Sequence, residues 1–468
     1  MTGGKDMKGV RIENIQPWQI FQQENGYATV KVYGAYERRV TPDMVEDYLE
    51  QEKLYISVCR ESDGEPVIWW TECEADGKNW SATLEIPAGG PYSIYTCMKE
   101  KETSDWSEWA SPGDMVRHIG VGDLYLIAGQ SNAVGYGKDF IEDAPELGVH
   151  MQCNNGDWDI ASHPLSTRDT CHDLPTDGTH VTGHSMYLSF AKALKRDLGY
   201  PIGLIPAALG GVALSRWNPE ENGDLYEFAM QRIGACGGKI KGILWYQGCS
   251  DTGSVAVAYS YSQRFETMVK HFRKDLGAEV PVFTMQIAYA NDYRYLANND
   301  WWGVVRQQQA DCAKKIPGVY VLPTTDSMMS DMVHIAAASN VRLGQLLAKQ
   351  VLTVLYGKRY MCHAPALSGI RRISEDTVEL AFDNVYERLE TLVPAWDLEI
   401  VAQEGAEQLP VAEYQILDRN KLRLTFSKPL SDGVRFHAGF PVVRKGFLPF
   451  DYATHMPLLS FYDQPIDQ

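Results

Sequence analysis

A serine hydroxyl attacks at neutral pH only when a base takes its proton and a third group holds that base in place. Two stretches of this chain carry residues of those types. The first is Leu124-Tyr-Leu-Ile-Ala-Gly129-Gln-Ser131-Asn132-Ala-Val-Gly135-Tyr-Gly137. Its apolar run stops at Gly129, Ser131 follows two residues later, and Gly135 and Gly137 loosen the next turn. A strand that ends on glycine and offers serine can expose a nucleophile at the carboxyl edge of a sheet. The second stretch follows the apolar run Val319–Leu322 and reads Thr325-Asp326-Ser-Met-Met-Ser-Asp331-Met-Val-His334. Asp331 and His334, three apart, let one loop bring an imidazole to the serine and a carboxylate behind it. Asp326 competes for the carboxylate role. Taken singly, each stretch is an ordinary polar turn, because short motifs have many false positives.

Acyl transfer also needs hydrogen-bond donors aimed where negative charge develops. The apolar run Ile202–Ala208 is followed by Leu209-Gly210-Gly211, and paired glycines let a backbone N–H approach a ligand unshielded. The run Ile243–Tyr246 is followed by Gln247-Gly248-Cys249-Ser250-Asp251, where Gln247 offers a side-chain amide. Asn132, Trp217, Trp245 and Cys249 stand beside these groups in sequence and are candidate substrate contacts.

For four such stretches to meet, each must leave the same edge of one sheet. From about 119 to 357, strand-like runs alternate with amphipathic ones. Helices are expected over His184–Leu198, Tyr259–Leu276, Trp301–Ile316 and Asn340–Leu355, and strands at Leu124–Ala128, Ile202–Ala208, Ile243–Tyr246, Val280–Ile287 and Val319–Leu322. That alternation reads as a parallel α/β sheet with helices on both faces. Residues 1–118 read instead as a β-sandwich: alternating runs such as Tyr27–Tyr33, Leu54–Val58 and Trp80–Ile86 are separated by Asp-Gly and Pro-Ala-Gly-Gly turns. Trp69, Trp70 and Trp80 are expected in its core rather than on a sugar-stacking face. Residues 358–468 return to short alternating strands, and the apolar tail His455–Tyr462 is expected to dock on the rest of the chain.

At 468 residues the chain exceeds one ordinary core, which fits three domains. Its net charge of −18 argues against nucleic acid or an anionic membrane as partner. No apolar run reaches the length of a membrane span. The first residues lack a signal-peptide core and the nine cysteines form no Cys-x-x-Cys pair, so a cytoplasmic location is expected over a trimmed secreted form. His172, His180 and His184 have no strong ligand pattern, and no metal site is read from them.

Taken together, the four blocks resemble the SGNH hydrolases, in the branch of sialate O-acetylesterases and related carbohydrate acetylesterases. Gly129-Gln-Ser-Asn132 is similar to that branch's nucleophile block, Gly210 through Trp217 to its Gly-Gly-x-x-aliphatic-x-x-Trp block, Trp245 through Gly248 to its Trp-x-Gln-Gly block, and Asp331 through His334 to its Asp-x-x-His block. The resemblance covers about 119–357. Two departures stand out: Cys249 replaces the branch's usual glutamate, and Gln247 stands where the wider superfamily has asparagine.

The resemblance implies a flavodoxin-like three-layer parallel sheet and no cofactor. It also implies Ser131 as nucleophile, His334 as base, Asp331 as orienting acid, and oxyanion donors from Ser131, Gly210 or Gly211, and an amide such as Gln247. The expected activity is removal of O-acetyl groups from a carbohydrate partner, either sialic acid or a plant-polysaccharide fragment; a homo-oligomer is left open. Other readings are a short-chain lipase or thioesterase of the same superfamily, and a non-catalytic carbohydrate-binding protein.

Overall fold

The computed structural model describes residues 9–37, 52–100, 110–166, 182–292 and 299–467. Its centre is a parallel sheet built from five apolar runs: β1 (Ser111–Gly129), β2 (Ile202–Pro206), β3 (Gly242–Tyr246), β4 (Val282–Met285) and β5 (Val319–Leu322). Their order across the sheet is β2-β1-β3-β4-β5, every neighbouring pair parallel. This is the flavodoxin-type winding, in which chemistry gathers at the carboxyl edge. These runs are apolar throughout because both faces of the sheet are covered; Leu124 to Ala128 are all at most 1% exposed. Two short strands unforeseen in the sequence, Val149–Gln152 and Trp158–Ile160, extend the β2 edge.

The helices lie near their expected places, at Tyr187–Leu198, Tyr261–Leu276, Asn299–Lys315 and Ala337–Tyr356, with a further one at Asp224–Ala235 that the polar pattern hid. The first and last of the four pack on one another so closely that a Cβ on Gly344 would lie 2.2 Å from the Met186 carbonyl.

β1 is far longer than its apolar run. It begins at Ser111, pairs antiparallel with Gly89–Glu100, and continues without a break into the parallel sheet. The change of character near residue 118 therefore falls inside one strand. Before it, two antiparallel sheets face each other across a shared core, with Val30, Val32 and Leu84 from one and Ile56, Val58 and Ile94 from the other. Trp80 is buried there as expected, whereas Trp69 is 61% exposed on the outer face of its strand.

The C-terminal region forms a seven-stranded sheet from Ala366–Arg372 to Phe461–Gln464 around its own core. It is tied to the parallel sheet by polar clamps. Arg306, fully buried, donates to the carbonyls of Ile287, Gly439 and Pro441. Gln286, just past β4, exchanges two 2.9 Å bonds with the Ser460 backbone, so the apolar tail docks where its composition requires.

Candidate active site

β1 ends at Gly129, where φ is +132° and a Cβ would lie 2.2 Å from the Tyr246 carbonyl oxygen. Only glycine allows that approach. It lets Gln130 donate to the same carbonyl at 2.8 Å, and the chain then turns into a single helical turn that starts at Ser131. Ser131 is partly exposed at the sheet's carboxyl edge, while Asn132, Ala133 and Val134 are buried beneath it.

Asn132 makes the decisive link. Its side-chain oxygen accepts from Ile335 N–H at 3.0 Å and its amide donates to the Val333 carbonyl at 3.2 Å. The residue after Ser131 thus grips the backbone on both sides of His334. Asn132 is spent on the protein itself, not on a ligand as its position in sequence had led one to expect. The same strap is fixed further along: Asp139 accepts from Ala337 N–H at 2.8 Å and caps the last helix.

Within the strap, His334 Nδ1 and Asp331 Oδ2 are 2.8 Å apart, and Asp331 Oδ1 accepts from the Val333 and His334 amides at 2.9 Å each. Partial burial pushes the Asp331 carboxyl up, but the bonds from the His334 ring and the two amides outweigh it and hold the group well below the usual carboxylate range. An Asp331 ionised at neutral pH favours the imidazole tautomer with Nδ1 protonated, which leaves Nε2 as the acceptor. Lys138 Nζ stands 3.2 Å from Asp331 Oδ2. Asp326 points elsewhere, into an ion pair with Arg342.

Gly210 comes to the serine: a Cβ there would lie 3.8 Å from the Ser131 Cβ and 3.2 Å from the Tyr136 hydroxyl. Gly211 is exposed, with open space where its Cβ would be. Tyr136, unremarked in the sequence between two glycines, lies flat on His334 with ring centroids 4.7 Å apart.

The remaining candidates are buried or half-buried. Gln247 is fully buried; its amide nitrogen donates to Asp251 and, at 3.2 Å, to the Val212 carbonyl. Asp251 in turn accepts from Leu214 N–H at 2.9 Å and pairs with Arg264. The expectation of an oxyanion donor at Gln247 is corrected: both donors of its amide are committed to shaping the Gly210–Trp217 loop. Trp217 and Trp245 are 0% and 1% exposed and pack edge to face at 5.3 Å, so they are core and not substrate contacts. Cys249 is half-buried, its thiol pushed up to about 12 by burial, which keeps it neutral. Gln130, overlooked in the sequence, accepts from the Gly248 N–H at 3.0 Å and so joins the β1 and β3 turns.

Among the described residues, one set has metal-ligand spacing: Asp143, His163 and His184. His172 and His180 lie outside the described residues. Both imidazole Nε2 atoms are 3.1 Å from Asp143 Oδ2, and Lys192 donates to Oδ1 at 2.8 Å. Ser185 N–H faces His163 Nδ1 at 3.5 Å. A metal-bound neutral imidazole would carry its proton on that Nδ1, against another N–H. The set fits a hydrogen-bonded ion cluster better than a cation site.

The chain is similar to known carbohydrate esterases. Residues 121–353 match the family described as carbohydrate esterase, sialic acid-specific acetylesterase. A probable carbohydrate esterase of Arabidopsis thaliana is 28% identical over 253 residues, spanning 49% of this chain and 90% of that protein. The crystal structure of a carbohydrate acetylesterase from Xanthomonas citri superposes with a TM-score of 0.66 at 18% identity, over 96% of this chain and 98% of that one, which is a likeness of fold. The resemblance to the carbohydrate-acetylesterase branch of the SGNH hydrolases therefore holds over the parallel sheet and its loops.

Proposed function

We propose, from a catalytic sheet of the SGNH carbohydrate-esterase type, that this chain is a serine esterase removing O-acetyl groups from a sugar hydroxyl. One observation carries the reading: Asn132, next to Ser131, holds both neighbours of His334, which is itself bonded to Asp331. This buried amide reaches across 201 and 203 residues of sequence to fix the backbone that carries the imidazole.

In this reading Ser131 Oγ attacks the acetyl carbonyl carbon while His334 Nε2 takes its proton. The carbonyl oxygen becomes an oxyanion, met by the N–H groups of Ser131 and Gly210; neither has an acceptor among the described residues. Asp331 stabilises the imidazolium. The C–O bond to the sugar then breaks, and the leaving oxygen takes the proton from His334. Water repeats the sequence on the acetyl-serine and releases acetate. The substrate is an acetylated sialic acid or an acetylated plant-polysaccharide fragment.

The test is acetate release from acetylated sialosides, xylans and mannans by the whole chain. Release from one class, lost in Ser131→Ala, supports the proposal. Hydrolysis of long-chain esters with no acetate release from any saccharide would replace it by the lipase or thioesterase reading.

A further inference from the structure

A cavity of about 350 Å³ opens between the loops after β4 and β5 and the C-terminal region. Tyr289 lies on one side, Thr325 and Asp326 on another, and Arg444, Phe447 and His455 close it from the C-terminal region. Its volume is within the range of small-molecule sites. It also adjoins the strap that carries His334, because Asn291, two residues past Tyr289, donates to the Met332 carbonyl at 2.7 Å.

Two residues of its wall carry a polar atom that the fold leaves unpaired. Thr325 is 2% exposed, and its hydroxyl is buried with no hydrogen-bond partner. Asp326 pairs with Arg342 through Oδ2, while its Oδ1 is buried with none. Buried polar atoms left unpaired are costly, and each calls for a partner that the fold does not supply. Arg444 supplies the opposite character. Its Nε donates to the Gly446 carbonyl at 2.9 Å, its guanidinium lies 4.3 Å over the half-exposed Phe447 ring, and its terminal nitrogens have no acceptor among the described residues.

A ligand that satisfies this wall must donate to a carboxylate oxygen, accept from a guanidinium, and lay an apolar face on Phe447, Leu448 or Pro457. A fatty chain donates nothing, and a bare inorganic anion meets Asp326 with repulsion. A polyhydroxylated ring has all three properties: hydroxyls that both donate and accept, and a C–H face that packs on aromatic and aliphatic side chains.

We infer that this cavity is a saccharide subsite, taking a pyranose ring of the substrate other than the one bearing the ester. The inference rests on the esterase reading for the word substrate, while the binding itself stands apart from it. A ring held here would position the acetylated unit without touching the reacting atoms.

The experiment uses the whole chain as wild type, Phe447→Ala and Arg444→Met. Both side chains lie in the C-terminal wall, and neither is among the groups assigned to the chemistry. Kinetics are measured on acetylated xylotriose, acetylated sialyllactose and p-nitrophenyl acetate, and binding of the two unacetylated trisaccharides by calorimetry. In each variant we expect KM for the preferred acetylated trisaccharide to rise about 10-fold with kcat kept, and p-nitrophenyl acetate turnover to be unchanged. A preference for sialyllactose lost in Arg444→Met assigns a carboxylate to the guanidinium; a preference for xylotriose assigns a neutral ring. Unchanged KM and unchanged trisaccharide binding in both variants overturn the subsite. If wild type binds a trisaccharide through Phe447 but releases no acetate from either acetylated one, the subsite stands and the esterase proposal falls.

Discussion

The Tyr136 ring lies on the His334 imidazole, its plane tilted by only 19° and its centroid 4.7 Å away. The same side chain brings its hydroxyl 3.2 Å from where a Gly210 Cβ would be, so it walls the space between the base and the oxyanion loop. On the proposed esterase reading, the bulk that would limit the acyl group is Tyr136 and not the buried Trp217 and Trp245.

Wild type is expected to prefer p-nitrophenyl acetate over butyrate and octanoate. A pocket able to bury two more methylenes would gain about 1.6 kcal/mol from them, and the Tyr136 wall denies that gain. Tyr136→Ala should lower kcat/KM on acetate about 10-fold through loss of the stack and raise the butyrate-to-acetate ratio. Tyr136→Phe keeps the stack and should behave like wild type. Equal acyl profiles in wild type and Tyr136→Ala would remove Tyr136 from acyl selection.

Ser131→Ala and His334→Ala should each abolish nearly all esterase activity while the circular dichroism spectrum stays native. The double variant should be no worse than either, because residues acting as one unit do not add. Asp331→Asn should cost less than either single change, and Asp326→Asn less again, since Asp326 faces Arg342. Wild-type turnover by purified Ser131→Ala would sink the assignment.

Gln247→Ala should act on stability more than on the chemical step. It strips the buried Asp251 carboxylate of one donor and frees the Val212 carbonyl, a loss of about 1–3 kcal/mol in denaturant titration. A folded protein of native stability whose kcat alone is lowered would return Gln247 to the oxyanion.

Two buried histidines should make the fold sensitive to mild acid. His150 donates from Nδ1 to the Trp18 carbonyl at 2.7 Å and accepts from Gly148 N–H at Nε2, and burial pushes its pKa down to about 4 from an ordinary 6.5. His437 accepts from Asp463 N–H and is likewise pushed down to about 4 by burial. As pH falls from about 6.5 toward 4, the unfolded chain takes up protons that the fold refuses, so stability declines across that window and is indifferent to these groups above it. Asp331 and Asp143, both held below the ordinary carboxylate range, stay ionised through the window and lose their contribution only at lower pH. Burial raises the Asp251 and Glu399 carboxyls and acts the opposite way, so the test compares variants. Tm by calorimetry should fall less between pH 6.5 and 4.5 in His150→Gln and His437→Gln than in wild type, and an equal fall in all three would contradict the assignment of neutral buried imidazoles.

The legible parts of this molecule were those fixed by short-range pattern. Apolar runs ending at Gly129, Tyr246 and Leu322 marked strands whose loops converge, and Asp331 and His334 sit close enough in sequence to meet within one loop. What a side chain does after the strand end was not legible. Gln247 leaves the correct edge, but Asp251, four residues on in a tight turn, captures its amide inside the protein. Asn132 looked ligand-facing because its partners lie over 200 residues away. Trp217 and Trp245 looked available because aromatic bulk suits a core and a binding wall alike, and only their mutual packing decides between them. The length of β1 was not legible in an apolar run, because Gly113, Gly120 and Gly122 interrupt its first half. Gly122 in fact lets the Pro201 carbonyl approach to 1.7 Å from where a Cβ would be.

That long strand makes the N-terminal sheet and the parallel sheet mechanically inseparable. Residues 111–121 of β1 are hydrogen-bonded into the N-terminal sheet, and residues 123–129 hold β2 and β3 beside the turn at Ser131. A join of this kind is covalent backbone and not a docked surface, so it has no weak plane along which to part. Heating should melt the N-terminal sheet and the parallel sheet in one cooperative step. Cutting the chain near residue 118 would leave β1 with a frayed stub, and the fraying would run along the same strand toward Ser131.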